Sequence, residues 1–146
     1  MREILFRGKS TETNQWCYGG FHIWKKRQIC VLGDDKLKDD EISYVITVNS
    51  FADWNMPRTM QAVEVIADTV GQYTGLTDRN GNKIFEGDIV NILTENEEIG
   101  VIVYEDGGFI VHADKFSIDI IYKINRTDVE VIGNKYDNPK LMEIQE

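Results

Sequence analysis

The chain has 146 residues, of which 42% are hydrophobic and 28% charged, with a formal net charge of -9. That composition fits one soluble globular domain long enough to bury a core. No apolar run approaches the ~20 residues needed to cross a bilayer, and an acidic body repels phosphate backbones, which argues against a generic nucleic-acid binder.

Alternation with period two recurs along the chain and predicts strands. "WCYGGFHIW" (16–24) sets Trp16, Tyr18, His22 and Trp24 on one face and Cys17, Phe21 and Ile23 on the other. The basic "KKR" reads as a turn, and "QICVL" (28–32) as the return strand of a hairpin. That register sets Cys17 opposite residue 34 or 35, not Cys30, and disfavours a disulfide. "GDDKLKDDE" (33–41) reads as a charged, solvated loop, "YVITV" (44–48) as a strand, and "NSFADWNMP" (49–57) as an irregular segment closed by Pro57. "QAVEVI" (61–66) reads as a strand in preference to a helix.

The most patterned stretch is "TVGQYTGLTDRNGNKIFEGDIV" (69–90). Gly71 and Gly75 interrupt a strand, which suggests bulges or close backbone approach. "DRNG" is a hairpin turn: Asn80 and Gly81 tolerate the backbone it needs, and Asp78 can accept amide hydrogens across it. "EGD" turns again at Gly87 and Asp88, and "IVNIL" leaves as a strand. "VIVYE", "FIVHA", "SIDIIYKI" (117–124) and "VEVIGN" complete the set, with "DGG" turning "VIVYE" into "FIVHA" and Pro139 ending the last. Strands at about ten-residue spacing with short turns predict a mostly β fold: a small β-barrel-like domain with irregular loops and little helix. A single domain over 1–146 is expected, with a possible subdivision into an N-terminal β region (1–60) and a barrel-like C-terminal region (61–146).

Several chemistries are weighed against turns and core. The patterned run lacks the spacing of a P-loop or a dinucleotide fingerprint. As a calcium loop it would start well at Asp78, Asn80 and Asn82, but Lys83 stands where glycine belongs and Ile89 where the bidentate glutamate belongs. Glu86 and Asp88 flank Gly87 and are the best paired carboxylates for an acid/base role; a turn cap at Asp88 is the simpler reading. His22 and His112, with Asp114 two residues on, could hold a metal, but a histidine satisfied within the fold is preferred for each. Trp16, Tyr18 and Trp24 beside a basic turn resemble a single-strand stacking platform. Core is the favoured reading, since large aromatics mostly bury. Phe51, Trp54 and Met56 sit in an irregular segment and are expected to form a contact between subunits or to seal a barrel end.

Charge is uneven. Residues 1–28 carry six basic and two acidic side chains, and residues 29–146 carry ten and twenty-three. The basic start keeps nucleic-acid binding as an alternative; a solvated surface is the plainer reading. "MREILFRGKS" lacks the apolar stretch of a secretory signal. Cys17 and Cys30 lack CxxC spacing and read as reduced thiols of a cytoplasmic protein.

The patterned run resembles the signature of the YopX family of phage and prophage proteins. "ILFRGK" with "QWCYGG" is similar to that family's opening, "GVIVYEDGGFIV" to its middle hairpin and "VEVIGNKYDNPKL" to its ending. "IAD" before the run departs from the family's usual proline and glutamate, which leaves the turn near Asp68 open. The resemblance implies a phage or integrated-element origin and a mostly β fold with a compact barrel-like part; it implies no activity. The expectation is therefore a cytoplasmic phage accessory protein that binds a phage or host macromolecule and forms a homo-oligomer, with no cofactor, no metal and no membrane. Alternatives are nucleic-acid binding through the N-terminal third and a hydrolase built on Glu86 and Asp88 or the two histidines.

Overall fold

A computed structural model describes residues 1–49, 54–55, 58–93, 98–113, 117–119 and 129–145. The chain is mostly β, and its described helical turns are short 3-10 segments at Asp39–Glu41, Ala67–Thr69 and Pro139–Gln145. It folds as two compact units: Leu5–Val70, and Gly71–Glu146 together with Met1–Ile4. Among the described residues no helix is long and apolar enough to cross a membrane.

The Leu5–Val70 unit is an antiparallel sheet of β1 (Phe6–Lys9), β2 (Trp16–Lys25), β3 (Ile42–Asn49) and β4 (Met60–Glu64), in the order β4-β3-β2-β1. β2 pairs with β1 through Trp16–Gly19 and with β3 through Gly20–Lys25, with no break in register. One face therefore carries Phe6, Phe21, Tyr44 and Ile46. The rings of Phe6 and Phe21 lie 5.5 Å apart and those of Phe21 and Tyr44 6.3 Å apart. Ile46 and Val65 are fully buried. Gly8 and Gly19 make close approach possible: a Cβ on Gly19 would fall 1.8 Å from the Thr47 carbonyl oxygen. At the departure from the family pattern, the turn after Ile66 is closed by the Thr69 hydroxyl and amide, which donate to the Ile66 carbonyl at 2.6 and 3.0 Å.

The expected return strand at 28–32 does not form. The partner of β2 is β3, and residues 26–41 are a connection with exposed Val31 and Leu32 (95% and 86%). Arg27 closes a loop there instead. Its guanidinium takes both Asp35 oxygens at 3.0 Å and the Glu41 carboxylate at 3.0 Å, while Asp35 also accepts the Cys30 amide at 2.7 Å. A forked, charge-assisted clamp of this kind closes a loop over the segment, and β3, richer in β-branched residues, takes the ladder. Cys17 lies opposite Gly8, and both thiols are free.

The second unit holds β5 (Gly71–Thr77), β6 (Lys83–Phe85), β7 (Asp88–Ile92), β8 (Glu98–Glu105), β9 (Gly108–His112), β10 (Ser117–Asp119) and β11 (Val129–Asn134). β5 and β6 form a hairpin, and the rest an antiparallel sheet in the order β10-β9-β8-β7-β11. Ile84, Val90, Ile92, Ile102, Val111 and Val129 form its core, with Leu76, Phe109 and Val131 packed against it. Asp106 and Gly107, both at positive φ (50° and 81°), turn β8 into β9.

Candidate functional site

Two places hold the residues singled out above. The first is the glycine-punctuated run. Between Tyr73 and Thr77 the β5–β6 register shifts, with Gly75 at φ +88°. The Thr74 hydroxyl donates to the Ile84 carbonyl at 2.8 Å and accepts the Leu76 amide at 3.2 Å, spanning that bulge. Gly71 serves proximity: a Cβ there would sit 2.5 Å from the Glu86 carbonyl oxygen. Gly81 takes φ +83° in the turn.

Asp78 is the hub of this turn and is only 2% exposed. Its carboxylate accepts the backbone amides of Asn80 (2.9 Å), Asn82 (2.8 Å) and Val131 (3.0 Å), and the Asn82 side-chain amide at 3.2 Å. Burial pushes its pKa up, but these four hydrogen bonds outweigh it and hold the carboxyl below the usual value of 3.8. Asn80 turns outward and donates to Glu130 at 3.3 Å. The turn is thus bound to β11, 53 residues away in sequence.

Gly87, at φ +92°, donates its amide to Ile102 and accepts from Lys135 through its carbonyl. Asp88 is buried and accepts the Phe85 amide at 2.7 Å. Its carboxylate therefore serves the β6–β7 turn. His112 is exposed on β9, His22 is exposed on β2 of the other unit, and Asp114 lies outside the described residues. Among the described residues no three of His, Cys, Asp and Glu gather as a metal site.

The second place is the other face of the β1–β4 sheet, which corrects the reading of Trp16, Tyr18 and Trp24 as core. Tyr18 and Trp24 are 48% and 58% exposed, His22 and Gly20 are exposed, and Trp16 is half-buried. The physical reason lies in the opposite face. Phe6, Phe21, Tyr44 and Ile46 pack together on one side of the sheet, where Ile23 still stays 54% exposed, and alternation places Trp16, Tyr18, His22 and Trp24 on the other. Register places Arg7 beside Tyr18 and Lys9 beside Trp16. Their cationic groups lie 4.6 and 5.5 Å from the Trp16 ring centre, in cation–π range. Lys25 and Lys26 end the strand and, with Gln28, Ile29, Val31 and Leu37, line an open groove of about 650 Å³. Arg27, also on that groove, is committed to Asp35 and Glu41. Asp35 is held down to about 2, chiefly by the Arg27 hydrogen bonds and then by the Cys30 amide.

Trp54 is 93% exposed; Phe51 and Met56 lie outside the described residues. Sequence reasoning missed the Arg27 clamp. The signal available for it was a lone arginine followed by carboxylates at 35 and 41, which reads equally well as a solvated charge run.

Against known proteins, residues 5–143 match the family model described as YopX protein. The chain is 25% identical over 134 residues, 84% of its length and 95% of the relative's, to the SPbeta prophage-derived uncharacterized protein YopX of Bacillus subtilis (strain 168). It shares a fold with the crystal structure of protein EF1440 from Enterococcus faecalis, at 22% identity and TM-score 0.52, over 97% of this chain and 99% of that one. With nearly its whole length matched, the chain belongs to the YopX family.

Proposed function

We propose that the protein is a phage accessory protein that works by binding a macromolecule, without catalysis, through the exposed aromatic face of β2. The observation that carries this is the row of Tyr18, His22 and Trp24 standing outward on a sheet whose opposite face carries the packed Phe6, Phe21, Tyr44 and Ile46. Rigid aromatics on a strand offer large contact area at low conformational cost. The patterned run is, on this reading, a fold-specifying device: Asp78 and Asp88 are engaged by backbone amides, which supports turns over acid/base chemistry at Glu86 and Asp88. Free Cys17 and Cys30 support a reducing cytoplasm.

A photo-crosslinking amino acid placed at Tyr18, and as control at exposed Tyr104 on the other unit, tests the face in cells carrying the phage element. Adducts specific to position 18 are expected. Adducts absent there, or equal at both positions, would refute the assignment. Self-association through the segment of Phe51, Trp54 and Met56 is a separate part of the reading, supported by the exposure of Trp54. Light scattering that finds one chain at tens of micromolar would remove it. An oligomer that survives a Phe51→Ala, Trp54→Ala double variant would move the contact elsewhere.

A further inference from the structure

The geometry points to single-stranded nucleic acid as the occupant of the β2 face, an inference that rests on that face being the binding surface. Three observations converge. First, β2 is one unbroken strand over Trp16–Lys25, paired with β1 up to Gly19 and with β3 from Gly20, so successive face positions stand about 6.7 Å apart. This is close to the repeat at which an extended single strand presents its bases. Tyr18, His22 and Trp24 then offer rings in a row, and Gly20 leaves an open step between them. Every base has a π-face, so such a row stacks bases without demanding a sequence.

Second, cations border the row. Lys9 stands beside it on β1 and Lys26 follows its last ring, while Arg7, on the same face, is buried against Trp16 and Lys25 alternates to the opposite face. Lys26 makes no ion pair among the described residues. Of the carboxylates on the 26–41 connection, Asp35 and Glu41 are bound to Arg27, whereas Asp34, Asp39 and Asp40 are exposed. Among the described strand residues on the same face, Glu64 is acidic, which follows from its pairing with Val45, itself opposite His22. Third, charge is divided between the units. Leu5–Val70 holds eight basic and nine acidic side chains, whereas the other unit holds eight and sixteen. The acidity that argues against phosphate binding belongs mainly to the unit without this row.

A flat row of rings selects single strands over duplex, whose bases are stacked on each other and unavailable. One or two phosphate contacts imply a modest salt dependence, a slope of log K on log salt of roughly -0.7 to -1.4. The test is fluorescence anisotropy of the full chain with labelled oligo-dT, oligo-U and a DNA duplex across a salt series. Saturable binding of the single strands in preference to duplex is expected, and the dT and U arms show whether the sugar matters. Tyr18→Ala and Trp24→Ala should each weaken it by roughly tenfold to a hundredfold. Trp24→Phe should retain most of it, and Trp54→Ala all of it. Equal binding of duplex, or single-strand binding that both alanine variants leave intact, would overturn the inference. No binding at low salt, together with protein adducts from a crosslinker at Tyr18, would overturn the nucleic-acid occupant and leave the face standing. No binding and no adducts would overturn both.

Discussion

The two units use their polar side chains in opposite ways. In Gly71–Glu146, the carboxylates of the patterned run turn inward: Asp78 and Asp88 are buried and take backbone amides. In Leu5–Val70, the carboxylates Asp35 and Glu41 stay on the surface and tie down Arg27, while aromatic rings face water. A buried carboxylate with four donors fixes a turn, because leaving those donors unpaired would be costly. An exposed clamp fixes only a loop, since solvent competes for each partner. The comparison teaches that the signature run spends its polar groups on the fold, whereas the other sheet keeps aromatic side chains at its surface.

The strongest way to break this contrast is Asp78→Ala. It strands the amides of Asn80, Asn82 and Val131 and should cost about 3 kcal/mol or more in urea denaturation. Hydrogen exchange read by segment should show the loss in β5, β6 and β11. An equal loss across β1–β4 would mean that the two units unfold as one. The same carboxylate sets an acid limit. Its folded pKa lies below 3.8, so its contribution is complete above about pH 4 and fades as pH falls through the folded value. An Asp78→Asn variant should flatten that acid limb; an acid transition unchanged by the variant would locate its cause in other groups.

Gly81→Val comes next, at about 1–3 kcal/mol, because valine at φ +83° is strained. An unchanged melting temperature would reopen a ligand role for the turn. Arg27→Ala should act locally. It frees residues 28–38 and speeds proteolytic cleavage there, with little change in global melting. A large drop in melting temperature would instead make the clamp part of the core of its unit. Smallest of all, Trp24→Ala should change stability within about 0.5 kcal/mol, as expected for an exposed side chain. A larger loss would return Trp24 to the core.

What could be read from the sequence alone was whatever depends on near neighbours. The turn at Asp78–Gly81, the bulge at Gly75, the strands β5 to β9 and the family signature rest on contacts within a few residues, where glycine and asparagine chemistry leaves few options. Which strand would pair with β2, and which of its faces would be covered, could not be read that way. Alternation with period two marks two faces of a strand and is silent about which is buried. Trp16, Tyr18 and Trp24 are as apolar as Phe21. The choice fell to Phe6, Tyr44 and Ile46, which reach Phe21 from other strands and fill that side first. In the same way Asp78 could be assigned to its turn from sequence, but its bond to the Val131 amide required β11 to arrive beside it. Contacts between distant segments depend on how the whole chain closes, and only the tertiary structure decides them.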